Sequence, residues 1–112
     1  MILGIPKEIL ENETRVAAIP ATVKQYASAG FDVKVEAGAG LKSQISDDEY
    51  KEAGAEIVSD AATIFSASDM VLKVNSPTDD EMAMIKDGSS YISFFQTMKE
   101  TSKVIALQKK NV

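Results

Sequence analysis

Short apolar segments alternate along this chain with segments that carry helix signals. The apolar segments are typical of β-strands and cover residues 2–5, 31–36, 56–58, 70–74 and 91–95. Strands that are separated by helical crossovers form parallel sheets that are covered on both faces. The alternation therefore predicts an α/β fold: a Rossmann-like or flavodoxin-like three-layer sandwich with a mostly parallel sheet of about five strands.

Capping residues mark the boundaries of the intervening helices. Three pairs have the spacing of a capping box, in which a hydroxyl accepts from a first-turn amide and a glutamate reaches back to the cap. These pairs are Ser46 with Glu49, Thr78 with Glu81, and Thr97 with Glu100. Pro20 and Asp60 are suited to the starts of two further helices. Gly30, Gly54 and Gly88 follow helical segments and are expected to end them.

The composition excludes several classes of function. The 112 residues suffice for one domain, and 45% of them are apolar, so the chain can bury a core. Cysteine and histidine are absent, which removes thiolate chemistry, the commonest metal ligand and the commonest general base, and we expect no metal. The formal charge is −5 without a basic face, so no nucleic acid is expected. No segment is typical of a membrane span or a signal peptide, which makes the cytoplasm the default location.

Two cationic side chains and one amide are expected at the ligand-binding edge of such a sheet. In open parallel sheets, ligands bind beyond the carboxyl ends of the strands. Lys73 stands near that end of the strand 70–74, Arg15 lies in the loop after the first strand, and Gln96 follows the last strand. The Lys73 ammonium can point into the crevice, and the Arg15 guanidinium can hold a carboxylate or carboxamide through two parallel hydrogen bonds.

Each of these residues also has a plainer interpretation. Lys73 can extend from the end of its strand to water. Gln96 can be a polar loop residue that precedes the last helix. Arg15 can be a surface arginine that contributes little by pairing with a nearby glutamate, the candidates being Glu8, Glu11 and Glu13. The residues alone leave both interpretations open.

Two further patterns suggest ligand sites but have better structural explanations. Gly38 and Gly40 begin a Gly-x-Gly-x-x-Gly spacing, yet the sixth position is Ser43 and the next predicted helix begins further on. Phosphate binding needs such glycines at a helix N-terminus, so we interpret them as turn formers. The acidic runs 47–49 and 79–81 lie in first helical turns, where negative charge complements the helix dipole.

Several motifs, taken in order, resemble those of alanine dehydrogenases and transhydrogenase alpha subunits. They are residues 4–8 (GIPKE), 12–17 (NETRVA), 35–40 (VEAGAG), 53–58 (AGAEIV) and 72–77 (LKVNSP). The resemblance extends over essentially the whole chain. Within this superfamily, residues 12–18, 72–75 and 79–81 are more similar to the transhydrogenase alpha subunit.

The resemblance implies roles for the three candidate residues. In alanine dehydrogenases, an arginine and a lysine at the positions of Arg15 and Lys73 hold the carboxylate and carbonyl of the substrate. Those enzymes have a catalytic histidine where this chain has Gln96. Imidazole chemistry is therefore excluded at that position. We expect Arg15, Lys73 and Gln96 to face a nicotinamide cleft, and we expect no catalytic residue from this chain.

The similarity to transhydrogenase alpha subunits also implies an organisation. Residues 1–112 are expected to form the N-terminal domain of a two-domain subunit, with the NAD fingerprint in a second domain after Val112. The implied reaction is hydride transfer between NAD(H) and NADP(H), coupled to proton translocation. NAD(H) is then bound mainly by the second domain and NADP(H) by a partner component. A membrane domain and a second copy of the full subunit are the other implied partners. The resemblance places this domain on the cytoplasmic or matrix side of the inner membrane.

Two other functions stay open at this stage. One is the N-terminal domain of an alanine dehydrogenase, which carries out the reductive amination of pyruvate. The other is a stand-alone flavodoxin-like binding module, such as a receiver domain. Glu8 and Asp60 are the acidic residues nearest to the positions that a receiver needs, and their spacing and surroundings do not match a phosphoacceptor site.

Overall fold

Strands and helices alternate in the computed structural model, which describes residues 1–94 and 101–112. The strands are β1 (Ile2–Ile5), β2 (Asp32–Glu36), β3 (Glu56–Val58), β4 (Met70–Asn75) and β5 (Ser90–Phe94). The helices are α1 (Pro20–Ser28), α2 (Asp47–Glu52), α3 (Ala61–Ala67), α4 (Asp79–Met84) and α5 (Thr101–Lys109), with a 3-10 turn at Leu41–Ser43. Gln96 and the predicted cap pair Thr97 and Glu100 lie outside the described residues.

The five described strands form one parallel sheet in the order β3-β2-β1-β4-β5. This is the order of a Rossmann sheet, and it differs from the flavodoxin order. β1 pairs with β2 along its whole length but with β4 only at Leu3 and Gly4. Beyond those pairs β1 and β4 separate. The crevice between their carboxyl ends is the switch point at which ligands bind in sheets of this type.

Hydrophobic side chains form two cores, one on each face of the sheet, because successive residues of a strand point to opposite faces. The first core joins β1 and β2 to α1 and α2 through Leu3, Ile5, Val23, Val33, Val35 and Tyr50. The second joins β4 to α3, α5 and the end of α4 through Phe65, Val71, Ile85 and Leu107. Burial of each such side chain contributes about 1.5–3 kcal/mol. These contributions hold the helices against the sheet.

The predicted helix starts within the described chain are confirmed. The Ser46 hydroxyl accepts from the Glu49 amide at 3.2 Å, and the Glu49 carboxylate accepts from the Ser46 amide at 3.2 Å. The Thr78–Glu81 capping box is closed in the same way. Asp60 caps α3 by accepting from a first-turn amide at 2.8 Å. Local capping signals thus fix where these helices begin.

The predicted helix ends are confirmed at two positions and wrong at a third. Gly30 and Gly54 follow α1 and α2 with φ values of 100° and 108°, as expected for residues that end a helix. Gly88 does not end α4, which stops at Met84. Ile85 leaves the helix with extended backbone and buries its side chain in the second core. Tertiary packing therefore ends α4 before the glycine.

Gly40 is required by a close approach within the fold. A Cβ atom at this position would lie 2.7 Å from the Tyr50 ring and 2.9 Å from the Ile45 carbonyl oxygen. The φ of Gly40 is −96°, which any residue adopts, so only the lack of space demands glycine. The 3-10 turn separates Gly38 and Gly40 from α2. Their interpretation as turn formers is confirmed.

We expect Gly40→Ala to lower the free energy of unfolding by roughly 1–3 kcal/mol, because the new methyl group overlaps a ring and a backbone atom. Denaturant unfolding of the chain measures the loss. Gly30→Ala is the control, since its Cβ meets no atom within 4 Å and only its positive φ opposes the substitution. An unchanged free energy of unfolding in Gly40→Ala would contradict the steric explanation.

Candidate functional site

Glu8 joins the loop after β1 to the end of β4. Its carboxylate accepts from the backbone amides of Val74 at 2.9 Å and Asn75 at 3.2 Å. These amides lie beyond the last residue pair of β1 and β4, so the carboxylate continues the connection where strand pairing has stopped. Glu8 is buried. It therefore fixes the loop after β1 against the carboxyl end of β4.

Lys73 lies beside Glu8 in a buried cluster of charges. Its ammonium donates to both carboxylate oxygens of Glu81 at 2.8 and 2.7 Å, and it lies 3.7 Å from a Glu8 oxygen. The Lys73 side chain is 1% exposed, so it does not extend to water. Burying these charges is tolerable because each carboxylate also accepts from backbone amides. The ammonium is therefore held between β4 and α4.

The strand that carries Lys73 is irregular at this point. Leu72 pairs with Ile92 and Asn75 pairs with Phe94, so two residues of β4 lie opposite one residue of β5. Such bulges bend a strand and are common next to functional sites. No local pattern in the sequence predicts this one.

Arg15 is paired with Glu13 rather than with Glu8 or Glu11. Its Nε and Nη2 atoms donate to the two Glu13 oxygens at 2.9 and 2.8 Å. The Glu13 side chain is 9% exposed, whereas that of Arg15 is 64% exposed. Glu13 also accepts from the Arg15 amide at 3.0 Å and from the Asn75 side chain at 2.9 Å. The pair is thus built into the loop and is more than a contact between two free surface charges.

The loop that carries Arg15 is fixed to β2, to the 3-10 turn and to α2. Near its start, the Lys7 amide donates to the Glu36 carboxylate at 3.0 Å. Near its end, the buried Tyr50 hydroxyl donates to the Ala18 carbonyl at 2.7 Å. The Ser43 hydroxyl donates to the Thr14 carbonyl between these points. These contacts hold the Arg15 backbone beside the crevice.

Arg15 and Lys73 line the same cleft. Its volume is about 420 Å³, and polar and apolar atoms contribute about equally to its surface. The apolar and aromatic residues of its lining are Val16, Ala17, Tyr26, Leu72, Val74, Ile92 and Phe94. Phe94 is 77% exposed and Ile92 is 53% exposed, which leaves apolar surface open on this side of β5. The structure brings these two predicted residues together, while Gln96 lies outside its described range. Their role in ligand binding stays a prediction.

The site also contains residues that the sequence interpretation missed. Asn75 lies between the two ion pairs of the site. Its side-chain amide donates to Glu13, the partner of Arg15, and to Glu8, which lies beside Lys73. Glu81 was expected only as a helix cap, yet it also binds Lys73. Glu8 was considered as a surface partner of Arg15 and as an acidic residue of a receiver domain, and neither role includes its contacts with β4. No local signal marks these roles, since each depends on a partner that tertiary structure supplies.

Two groups near the cleft have shifted pKa values. The hydrogen bonds from Arg15 and Asn75 lower the pKa of Glu13 to about 2. Burial, together with the nearby charges of Glu81 and Glu8, raises the pKa of Tyr91, whose hydroxyl donates to the Asn75 carbonyl at 3.0 Å. Glu13 is therefore an anion at neutral pH, while the Tyr91 phenol is neutral.

The described chain offers little for metal or phosphoryl chemistry. Within residues 1–94 and 101–112, no three carboxylates are grouped as metal ligands. Asp60 is occupied as the cap of α3, and Glu8 is buried against β4. Neither acid therefore belongs to the exposed cluster that a receiver domain needs. Among the helices of the described residues, none has the length and apolar character of a membrane span.

The geometry and the motifs agree with one protein family. A sequence profile described as "Alanine dehydrogenase/PNT, N-terminal domain" matches residues 4–112. The chain belongs to this family. The alanine dehydrogenase/PNT N-terminal domains occur in an oxidoreductase family whose members include transhydrogenase subunits and alanine dehydrogenases. The resemblance inferred from the sequence motifs is confirmed.

Individual relatives come from both branches of the family. The NAD(P) transhydrogenase subunit alpha of Haemophilus influenzae is 46% identical over the whole chain, which covers 22% of that protein. The alanine dehydrogenase of Methanococcus maripaludis is 40% identical over the whole chain, which covers 30% of that enzyme. The identities alone do not separate the two activities.

Solved structures give the same result. The transhydrogenase from Sinorhizobium meliloti matches 99% of the chain with a TM-score of 0.94 and 38% identity. An L-alanine dehydrogenase matches 97% of the chain with a TM-score of 0.92 and 28% identity. The chain spans 33% and 30% of these two proteins. The fold and the N-terminal domain assignment are therefore shared with both.

We expect Lys73→Met to lower the free energy of unfolding by about 3–5 kcal/mol, because it leaves two buried carboxylates without their cation. Adding Glu81→Gln should recover part of this loss, since one of the uncompensated charges is removed. Urea unfolding of the two variants and the parent chain measures both effects. A double variant less stable than Lys73→Met would contradict the buried-charge explanation.

We expect the Glu13 carboxyl group to titrate with a midpoint of about 2, below its ordinary value of 4.5. The stability from its lowered pKa is complete above pH 4.5 and is lost as the pH falls toward 2. Carboxyl-carbon NMR of the chain measures this midpoint. In Arg15→Met the midpoint should rise, while that of Asp60 should not change, because Asp60 is stabilised by the Thr63 amide. An unchanged Glu13 midpoint would disprove the role of Arg15.

Proposed function

We propose that this domain forms one wall of the nicotinamide cleft in a subunit that transfers hydride between NAD(H) and NADP(H), coupled to proton translocation. The observation that supports this proposal is the cleft beside the carboxyl end of β4, between the loop after β1 and β5. It combines apolar side chains with polar surface and the exposed guanidinium of Arg15. A flat aromatic ring that bears a carboxamide suits such a surface, because the apolar side chains can contact the ring and the guanidinium can donate to the carbonyl.

The chemistry expected of the chain is positioning. Nicotinamide itself carries the hydride, so a protein wall needs to orient the ring and exclude water. Val16, Leu72 and Val74 supply apolar surface for that purpose. Arg15 is the residue that we assign to the carboxamide, and Gln96 is proposed as a further polar residue of the same wall. The Lys73 ammonium is bound by Glu81, so its proposed part is to shape the edge of the cleft.

The remaining parts of the reaction are assigned to other segments and chains. We propose that a second domain of the same subunit binds most of NAD(H), and that a partner component binds NADP(H). Support comes from the transhydrogenase relatives, one of which is named as a subunit alpha. We further propose that the full subunit forms a homodimer and works with a membrane domain. This domain is then located on the cytoplasmic or matrix side of the membrane.

An alanine dehydrogenase is the second candidate, and one observation favours it. Arg15 and Lys73, which resemble the substrate-binding cations of those enzymes, line one cleft. Two observations oppose it. The chain has no histidine, and both oxygens of Glu81 engage the Lys73 ammonium that would have to meet a substrate carbonyl. We therefore favour hydride transfer between nucleotides.

Exchanging the domain between relatives tests the proposal. We expect this chain to support NADPH-dependent reduction of an NAD analogue when it replaces the matching segment of the Haemophilus influenzae alpha subunit. In the Methanococcus maripaludis alanine dehydrogenase, the same exchange should lower pyruvate-dependent NADH oxidation by on the order of 10²–10⁴, because a general acid–base group is lost. Gln96→His in that second chimera should restore part of the activity.

Each chimera is compared with its unmodified parent enzyme, and circular dichroism checks that the two chimeras are folded. A folded transhydrogenase chimera without hydride transfer would contradict the proposal. An alanine dehydrogenase chimera with undiminished turnover would support the second candidate instead.

A further inference from the structure

The guanidinium of Arg15 has two hydrogen-bonding edges, and the fold uses one of them. Nε and Nη2 donate to Glu13, which occupies the inner edge. Within residues 1–94 and 101–112, Nη1 has no hydrogen-bond partner. The outer edge, formed by Nη1 and the second hydrogen of Nη2, can therefore donate to another planar acceptor. Arg15 lines the cleft, so a ligand that is bound there can supply this acceptor.

Asn75 fixes Glu13 in the position that orients this edge. Its Nδ2 donates to Glu13 at 2.9 Å and to Glu8 at 3.2 Å. Its backbone is itself held, because the amide donates to Glu8 at 3.2 Å and the carbonyl accepts from Tyr91 at 3.0 Å. Asn75 thus connects the rigid end of β4 to an exposed arginine. An arginine that is held in this way loses less side-chain entropy when it binds.

We infer that Asn75 is a positioning residue that acts through Glu13 to hold the outer edge of Arg15 toward the cleft, where it donates to the carboxamide oxygen of a nicotinamide ring. This inference rests on the proposed function, because it takes the nicotinamide as the ligand. Asn75 and Glu13 are assigned no contact with the ring. Their effect on binding is therefore expected to pass through Arg15 alone.

A purely structural role for Asn75 predicts a different result. The side chain also contacts Glu8, so its removal disturbs the end of β4 whether or not Arg15 is present. A positioning role predicts that the loss of binding disappears once Arg15 is removed, because no guanidinium is left to orient. A double-mutant cycle between Asn75 and Arg15 separates the two roles.

The experiment uses the full-length polypeptide that carries this domain, together with its NADP-binding component, and measures kcat and KM for NADH. We expect Asn75→Ala and Arg15→Met each to raise KM about tenfold with a smaller effect on kcat, because a uniform binding contact is lost. The double variant should have the KM of Arg15→Met. Glu13→Gln is a second test of the same connection and should resemble Asn75→Ala. Glu56→Gln removes an exposed ion pair with Lys34 and is the control.

Additive increases in KM in the double variant, or an unchanged KM in both Asn75→Ala and Glu13→Gln, would overturn the inference. Failure of the proposed function gives a different result, namely no hydride transfer by the parent protein. In that event, NADH binding to the same set of variants is followed by fluorescence. The inference then requires the same non-additive losses of affinity, and a parent protein that does not bind NADH would overturn it as well.

Discussion

The Glu8 carboxylate holds together the edge of the sheet on which the candidate site is built. β1 and β4 stop pairing early, which opens a crevice but also leaves backbone amides of β4 without a strand partner. Glu8 accepts from two of these amides, and the Lys73 ammonium beside it compensates part of its charge. A buried carboxylate is stable only with such partners. Glu8 therefore connects the loop after β1 to the end of β4, where the pairing of the two strands has stopped.

The same cluster joins the sheet to α4. Glu81 closes the capping box of that helix with Thr78 and also receives two hydrogen bonds from Lys73. The Glu81 carboxylate thus fixes both the start of α4 and the end of β4. Buried ion pairs of this kind often add little net stability compared with an apolar core. In this protein the pair sets the position of α4 relative to β4 at the edge of the cleft.

The two cations of the cleft have different environments and therefore different expected uses. Lys73 is buried and bound by two carboxylates, so the fold needs its charge. Arg15 is exposed and bound along one edge, so part of its hydrogen-bonding capacity remains for a ligand. A cleft with apolar side chains and one oriented guanidinium suits the proposed reaction, in which the cofactor carries out the chemistry. The chain spans a third or less of the relatives that it matches.

The sequence by itself determined the elements, because apolar alternation, capping boxes and glycines after helices are local signals. It also placed Arg15 and Lys73 at the carboxyl edge, since parallel topology follows from alternating strands and helices. Tertiary structure alone decided how the charges pair. The contacts of Glu8 with Val74 and of Glu13 with Asn75 join residues 66 and 62 positions apart. Such partners depend on which strands become neighbours, and local signals contain no information about strand order. For the same reason, α4 ends where Ile85 reaches the core, and the glycine that follows has no part in it.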